Sequence, residues 1–127
     1  MMKEENRLQN NKRILIVDHD TGVLDILRLM LSDYDCIFAT DGEEAIKLYS
    51  EFKPTLVIME IMLPKMDGIE VTKRILEIDP EAKIIGLTAF KYRWGEDLLK
   101  AGAIDVIEKP FRRDELLKIV EKYLNPD

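Results

Sequence analysis

Thr55–Gly68, reading TLVIMEIMLPKMDG, decides how this chain is read. Leu56 to Met59 is a continuous apolar run too short for a helix, so it reads as a strand buried on both faces of a parallel sheet. Glu60 sits at its carboxyl end. Pro64 then stops strand pairing, and Asp67-Gly68 can turn the chain and cap a helix. In an open parallel sheet, ligands bind in the crevice outside the carboxyl ends of the strands, which puts Glu60 in the default functional site. Three more apolar runs end in chemistry-bearing residues: Ile14–Val17 leads to Asp18-His19-Asp20, Ile84–Leu87 to Thr88, and Ile104–Ile107 to Lys109-Pro110.

From Lys12 onward, apolar strand, turn and amphipathic helix repeat five times, the pattern of an α/β sheet built from right-handed crossovers. Strands are expected at 13–17, 36–39, 56–59, 83–87 and 104–108. The first helix is expected from about Thr21 to Ser32, capped by Asp20, with Val23, Leu27 and Met30 inward. The second begins with the Asp41–Glu44 capping box and carries the stripe Ala45, Leu48, Tyr49, Phe52. The third, about Gly68 to Ile78, closes at Asp79-Pro80, because proline disfavours helix in the residue before it. The fourth has no clean cap across Ala89–Gly95, although Trp94, Leu98 and Ala101 share a face and Gly102 can end it left-handed. The fifth runs from about Arg112 to Leu124 with Leu116, Ile119, Val120 and Tyr123 inward. Residues 1–11 are polar without a hydrophobic period and read as a flexible tail, leaving 12–127 as one domain.

The composition narrows the function. The chain has 127 residues, enough for a core without disulfide staples, and its single cysteine, Cys36, allows no internal disulfide. Ile37 and Phe38 beside it suggest a buried, inert thiol. A net charge of -6 disfavours nucleic acid or an anionic membrane as the main partner, and one histidine excludes a multi-histidine metal site. With no run long enough to span a membrane, a cytoplasmic location is expected.

Carboxylates, a hydroxyl and an ammonium delivered to one crevice are the means of holding a phosphoryl group and its cation. Here the motifs ILIVDHD (14–20), VIMEIMLPKMDGIE (57–70), GLTAF (86–90) and EKPF (108–111) resemble, at matching spacings, the receiver domain of two-component response regulators, of the stand-alone chemotaxis type. The resemblance covers Lys12 to Leu124. It implies a (βα)5 flavodoxin-like fold with sheet order 2-1-3-4-5, helices one and five on one face and two, three and four on the other. It also implies Mg²⁺ held by acids after strand one, phosphate accepted from a histidine kinase at the end of strand three, and a hydroxyl and a lysine contacting the phosphoryl group. Asp18, Thr88 and Lys109 match those roles, and Met62 would offer its backbone carbonyl to the metal together with Asp18 and Glu60. Two positions depart from the pattern: His19 stands where a second acid is expected, and Glu60 stands at the phosphoacceptor. The family's strand-five aromatic is replaced by Val106.

Physically, an imidazole is a poor exchange for a carboxylate on a hard cation, so Mg²⁺ should bind weakly. The extra methylene of Glu60 displaces its carboxylate by about one bond length, and misplacement by about 1 Å can cost roughly 100-fold in rate. Lys109, at the end of a buried strand, needs a partner, and Glu60 is the expected one. The plainer readings are that Asp20 only caps a helix, that Thr88 only satisfies local backbone groups, and that His19 is a solvated loop residue. Three functions are compatible with this reading. The first is a receiver degenerate at Glu60 that binds a histidine kinase or another signalling protein through helix four, strand five and helix five. The second is a phosphorylation-competent, Mg²⁺-dependent receiver. The third is a haloacid-dehalogenase-like phosphatase with Asp18-His19-Asp20 as its DxD and Thr88 and Lys109 in the right order. Against it, such enzymes need a longer chain and a second acidic cluster after the lysine, where Asp114-Glu115 reads instead as a first-turn dipole pair of a helix.

Overall fold

Every apolar run expected to be a strand pairs in parallel with its neighbours in the computed structural model, which describes residues 12–125; the expected tail at 1–11 lies outside the described residues. The strands are β1 (Arg13–Val17), β2 (Asp35–Ala39), β3 (Leu56–Glu60), β4 (Ile84–Thr88) and β5 (Asp105–Glu108), in spatial order β2-β1-β3-β4-β5. The helices are α1 (Thr21–Met30), α2 (Gly42–Phe52), α3 (Gly68–Ile78), α4 (Lys91–Ala101) and α5 (Arg113–Leu124). The register aligns Val17 with Ala39 and Met59, Glu60 with Leu87, and Thr88 with Glu108. The carboxyl ends therefore finish at one level, where the site residues emerge.

Two apolar layers cover the sheet, as a central strand buried on both faces requires. Leu24, Leu27 and Leu31 from the α1 segment and Leu116, Val120 and Leu124 from α5 pack on Ile14, Ile16, Leu56 and Ile58. Ala45 and Tyr49 from α2 and Val71 and Ile75 from α3 pack on Leu15, Val17, Val57 and Met59. Alternation along β1 and β3 thus feeds both layers in turn.

Some expectations shift. The inward face of α1 centres on Leu24, Leu27 and Leu31, with the expected Val23 and Met30 partly buried against the same core, and the helix ends at Met30 with Leu31 as its cap. Phe52 is exposed instead of inward, with the Arg13 guanidinium 4.9 Å from its ring centre. Strand β4 extends to Thr88 because Thr88 still pairs with Glu108, and β5 starts at Asp105, one residue late. The caps follow the expected chemistry. Asp41 Oδ1 accepts from the Glu44 amide at 2.8 Å, and Glu44 reaches back to the Thr40 amide, one residue before the cap. Asp67 Oδ1 accepts from the Glu70 amide at 2.9 Å. Gly102 closes α4 at φ 115, a conformation glycine adopts without steric cost.

Candidate functional site

Four strand ends assemble the site. Asp18 follows β1, Glu60 ends β3, Thr88 ends β4 and Lys109 follows β5. Asp18 is 0% exposed and Glu60 6% exposed, so both carboxylates sit where an unmatched charge would be costly. Lys109 Nζ supplies the match: it donates to Asp18 Oδ2 and to Glu60 Oε1, each at 3.0 Å. The two remaining oxygens are also engaged, Asp18 Oδ1 by the Asp20 amide at 3.0 Å and Glu60 Oε2 by the Ile61 amide at 2.9 Å. Burial alone would lower the Lys109 pKa, but the hydrogen bonds and charges of Asp18 and Glu60 outweigh it and hold the ammonium above its ordinary value.

The expected Glu60–Lys109 pair is present, and Asp18, delivered to the same crevice, joins it as a second acceptor. Asp20 turns away from the centre and caps α1, accepting from the Gly22 amide at 2.8 Å and the Val23 amide at 3.3 Å. His19 is half-exposed, with Nδ1 3.7 Å from Asp18 Oδ1. Thr88 is buried, and its Oγ1 accepts from the Phe90 amide at 3.0 Å, a local turn contact. The Met62 side chain is exposed beyond Glu60. Gly68 secures the loop that follows: its amide donates to the Ile61 carbonyl at 2.8 Å, and a Cβ on it would lie 2.2 Å from the Glu60 carbonyl oxygen. Asp114 and Glu115, which a phosphatase reading needs as a second acidic cluster, lie in the first turn of α5. Cys36 is half-buried away from the site, and burial, aided by Asp35, pushes its thiol up to about 12.

The hard oxygens that the site gathers are the Asp18 and Glu60 carboxylates. Among the described residues, no three His, Cys, Asp or Glu side chains come together as a metal-binding cluster. The ammonium of Lys109 bridges the two acids, so an ion entering there has to draw them away from it.

Known proteins agree with this geometry. A family profile for the response regulator receiver domain matches residues 14–121. The chemotaxis protein CheY of Thermotoga maritima is 40% identical over 119 residues, covering 87% of this chain and 96% of its own. The alkaline phosphatase synthesis regulator PhoP of Bacillus subtilis is 41% identical over 109 residues, but those cover 45% of its length. Among solved structures, a CheX–CheY–BeF₃–Mg²⁺ complex from Borrelia burgdorferi superposes with a TM-score of 0.82 at 33% identity, covering 87% of each chain. The receiver domain of the sensor histidine kinase PA1611 from Pseudomonas aeruginosa, with magnesium coordinated in its active-site cleft, gives a TM-score of 0.84 at 28% identity, covering 89% of this chain and 97% of its own. With its flavodoxin-like sheet, its four strand-end residues and these matches together, the chain belongs to the receiver-domain family of response regulators, the signalling modules of two-component systems.

Proposed function

We propose that this receiver is degenerate at its phosphoacceptor position and acts without taking up phosphate, by binding a signalling protein. The observation that carries this reading is the Lys109 ammonium, bonded at 3.0 Å to both Glu60 and Asp18. Charge-assisted bonds of this kind are the strong ones, and here they join the strand-three acid to the lysine that would meet a phosphoryl group. Glu60 therefore stands in, by charge and reach, for part of what a phosphorylated aspartate supplies, with two oxygens instead of a phosphate's three and less charge. Its own carboxylate is a poor nucleophile in this setting because both oxygens already accept hydrogen bonds.

The same geometry disfavours Mg²⁺. Two carboxylates shared with an ammonium, and an imidazole where a third acid would help, make a weak octahedral oxygen site. Residues 12–127 act as one module. The partner is a histidine kinase or another signalling protein, and the face of α4, β5 and α5 presents Tyr92, Leu99 and Ile104 to it. A net charge of -6 argues against nucleic acid as that partner. No described helix is long and apolar enough to cross a membrane, and we place the module in the cytoplasm, with no catalytic turnover of its own.

Intact-mass spectrometry after incubation with acetyl phosphate and Mg²⁺ tests this. The native protein is expected to keep its mass, whereas Glu60→Asp, shorter by one methylene, is expected to gain a phosphate. Stoichiometric phosphorylation of the native protein would overturn the reading in favour of a working Mg²⁺-dependent receiver.

A further inference from the structure

Met59, Met62 and Met66 all fall on β3 or the loop that follows it. The fold exposes them unequally. Met59 is 0% exposed within the sheet, Met66 is half-buried against the layer of α2 and α3, and Met62 is 52% exposed just beyond Glu60. Met30, at the end of α1, is half-buried against the opposite layer. Backbone bonds fix Met62 in its place. The Leu63 amide donates to the Ile61 carbonyl at 2.9 Å, closing a three-residue turn centred on Met62, and the Gly68 amide donates to the same carbonyl at 2.8 Å. A second such turn, from the Met66 amide to the Pro64 carbonyl at 2.8 Å, is centred on Lys65 at φ 71, the rarer form. Ile61 is buried and Leu63 half-buried, and Met62 between them is turned outward. The ammonium of the neighbouring site has capacity left. Lys109 Nζ carries three N–H bonds, of which two go to Asp18 Oδ2 and Glu60 Oε1. The third has no acceptor among the described residues, and the side chain keeps 20% exposure.

We propose that Met62 is a site of reversible oxidation by a peroxide, and that its sulfoxide oxygen accepts the third N–H of Lys109. A sulfur lone pair attacks one oxygen of hydrogen peroxide, the O–O bond breaks, an S–O bond forms and water leaves; sulfur gives up two electrons and the peroxide takes them. The thioether is a weak acceptor and offers the ammonium little, whereas the sulfoxide is polar. Three rotatable bonds let the oxidised side chain reach from the rim into the crevice. An ammonium that bonds a third, uncharged oxygen is shared less tightly with each carboxylate, so the change at the rim is felt at Asp18 and Glu60. Exposure decides which methionine reacts, and the fixed turn decides what the reaction alters. A methionine sulfoxide reductase reverses the step, with sulfur reduced, two thiols of a dithiol joined as a disulfide and the oxygen released as water. The inference rests on Lys109 bridging Asp18 and Glu60 and not on whether Glu60 takes up phosphate.

Dilute hydrogen peroxide followed by peptide mapping tests the modification. Met62 should oxidise about tenfold or more faster than Met30, Met59 and Met66, because buried thioethers react only through local opening. The urea midpoint of the oxidised protein should match that of the native one, since the oxygen is added to an exposed side chain. Amide NMR spectra test the contact with Lys109. The Ile61 amide, which donates to Glu60 Oε2 at 2.9 Å, and the Asp20 amide, which donates to Asp18 Oδ1 at 3.0 Å, should both shift on oxidation. Both should return after treatment with the reductase and a dithiol. Met62→Gln, whose amide oxygen is an acceptor, should shift the same two amides without any oxidant, and peroxide should leave both unmoved in Met62→Leu. Met30 or Met66 reacting as fast as Met62, a lowered urea midpoint, or shifts confined to Met62 and Leu63 overturns the proposal. Phosphate and oxygen add different masses, so phosphate uptake by the native protein would remove the reading of Glu60 while leaving Met62 to stand or fall on its own measurement.

Discussion

Asp18 and Glu60 are buried acids whose charge is matched by a single ammonium, so removing that ammonium leaves two carboxylates facing each other in a poorly solvated crevice. Breaking a buried pair from one side costs about 3–5 kcal/mol, and the Lys109 side chain keeps 20% exposure, which places Lys109→Met at about 3 kcal/mol. Urea unfolding should show a lower midpoint with an unchanged slope. Adding Glu60→Gln should recover part of the loss, a coupling a double-mutant cycle reads directly. The pH dependence has a definite sign. The folded-state pKa of Lys109 lies above its ordinary 10.5, so its contribution is complete below that value and is lost as pH rises through the folded pKa. Burial raises the phenols of Tyr34, Tyr49 and Tyr123 too, and their hydrogen bonds to Glu121, Asp79 and Asp105 add to it, so they give a decline of the same sign. The share due to Lys109 is therefore the extra alkaline loss of the native protein over Lys109→Met; equal alkaline slopes would sink the assignment. At this scale the sequence made the Glu60–Lys109 pair legible, because a lysine ending a buried run must find an acid. It brought Asp18 to the same crevice without singling it out as the second acceptor, since that depends on how deeply β1 is buried between β2 and β3.

Among the helices, α3 matched its expected bounds because both ends carry local chemistry: Asp67 caps the start, and Asp79-Pro80 stops the end. The shift in α1 has a tertiary cause. Several registers of its apolar residues satisfy a helical period, and docking beside α5 selects the one that buries Leu24 and Leu31. The late start of β5 has a cause of the same kind. Ile104 donates its amide to Ile84 yet leaves its side chain partly exposed at the sheet edge, which an apolar run cannot reveal. Two glycines give opposite expectations for elements around the site. A Cβ at Gly95 would meet only Lys91 Cγ, at 3.3 Å, the stem of a flexible exposed side chain. Gly95→Ala should then stabilise the protein by about 0.5–1 kcal/mol through helix propensity, as measured by chemical denaturation. At Gly68 the obstacle is backbone, with the Glu60 carbonyl oxygen at 2.2 Å and Ile61 Cα at 2.8 Å, so no rotamer relieves it. Gly68→Ala should destabilise by about 3 kcal/mol, the upper range for overpacking, and should displace the strand end that carries Glu60. A neutral Gly68→Ala would show that α3 can slide away from β3 at little cost.

Across the whole molecule, the alternation of strands and helices made an α/β sheet legible, and the apolar β3 demanded cover on both faces; the order β2-β1-β3-β4-β5 needed the family resemblance as well. That order brings residues 91 positions apart, Asp18 and Lys109, to 3.0 Å, so the charge state of the site is linked to the stability of the entire sheet. Ion binding can then be read from global unfolding, because a ligand that binds only the folded state stabilises it by RT ln(1 + [L]/Kd), about 0.4 kcal/mol when its concentration equals Kd and about 2.7 kcal/mol at 100 times Kd. In the native protein a Mg²⁺ ion must compete with Lys109 for Asp18 and Glu60, and it gains no hard oxygen from His19. About 10 mM Mg²⁺ should therefore raise the unfolding free energy by less than about 0.4 kcal/mol, while His19→Asp, which adds a carboxylate beside Asp18, should gain about 1–2 kcal/mol under the same conditions. The ionic-strength control is Na⁺ at matched strength, since screening acts weakly on buried pairs. If the native protein gains as much from Mg²⁺ as His19→Asp does, then Lys109 yields the acids readily, and the site is built for a metal after all.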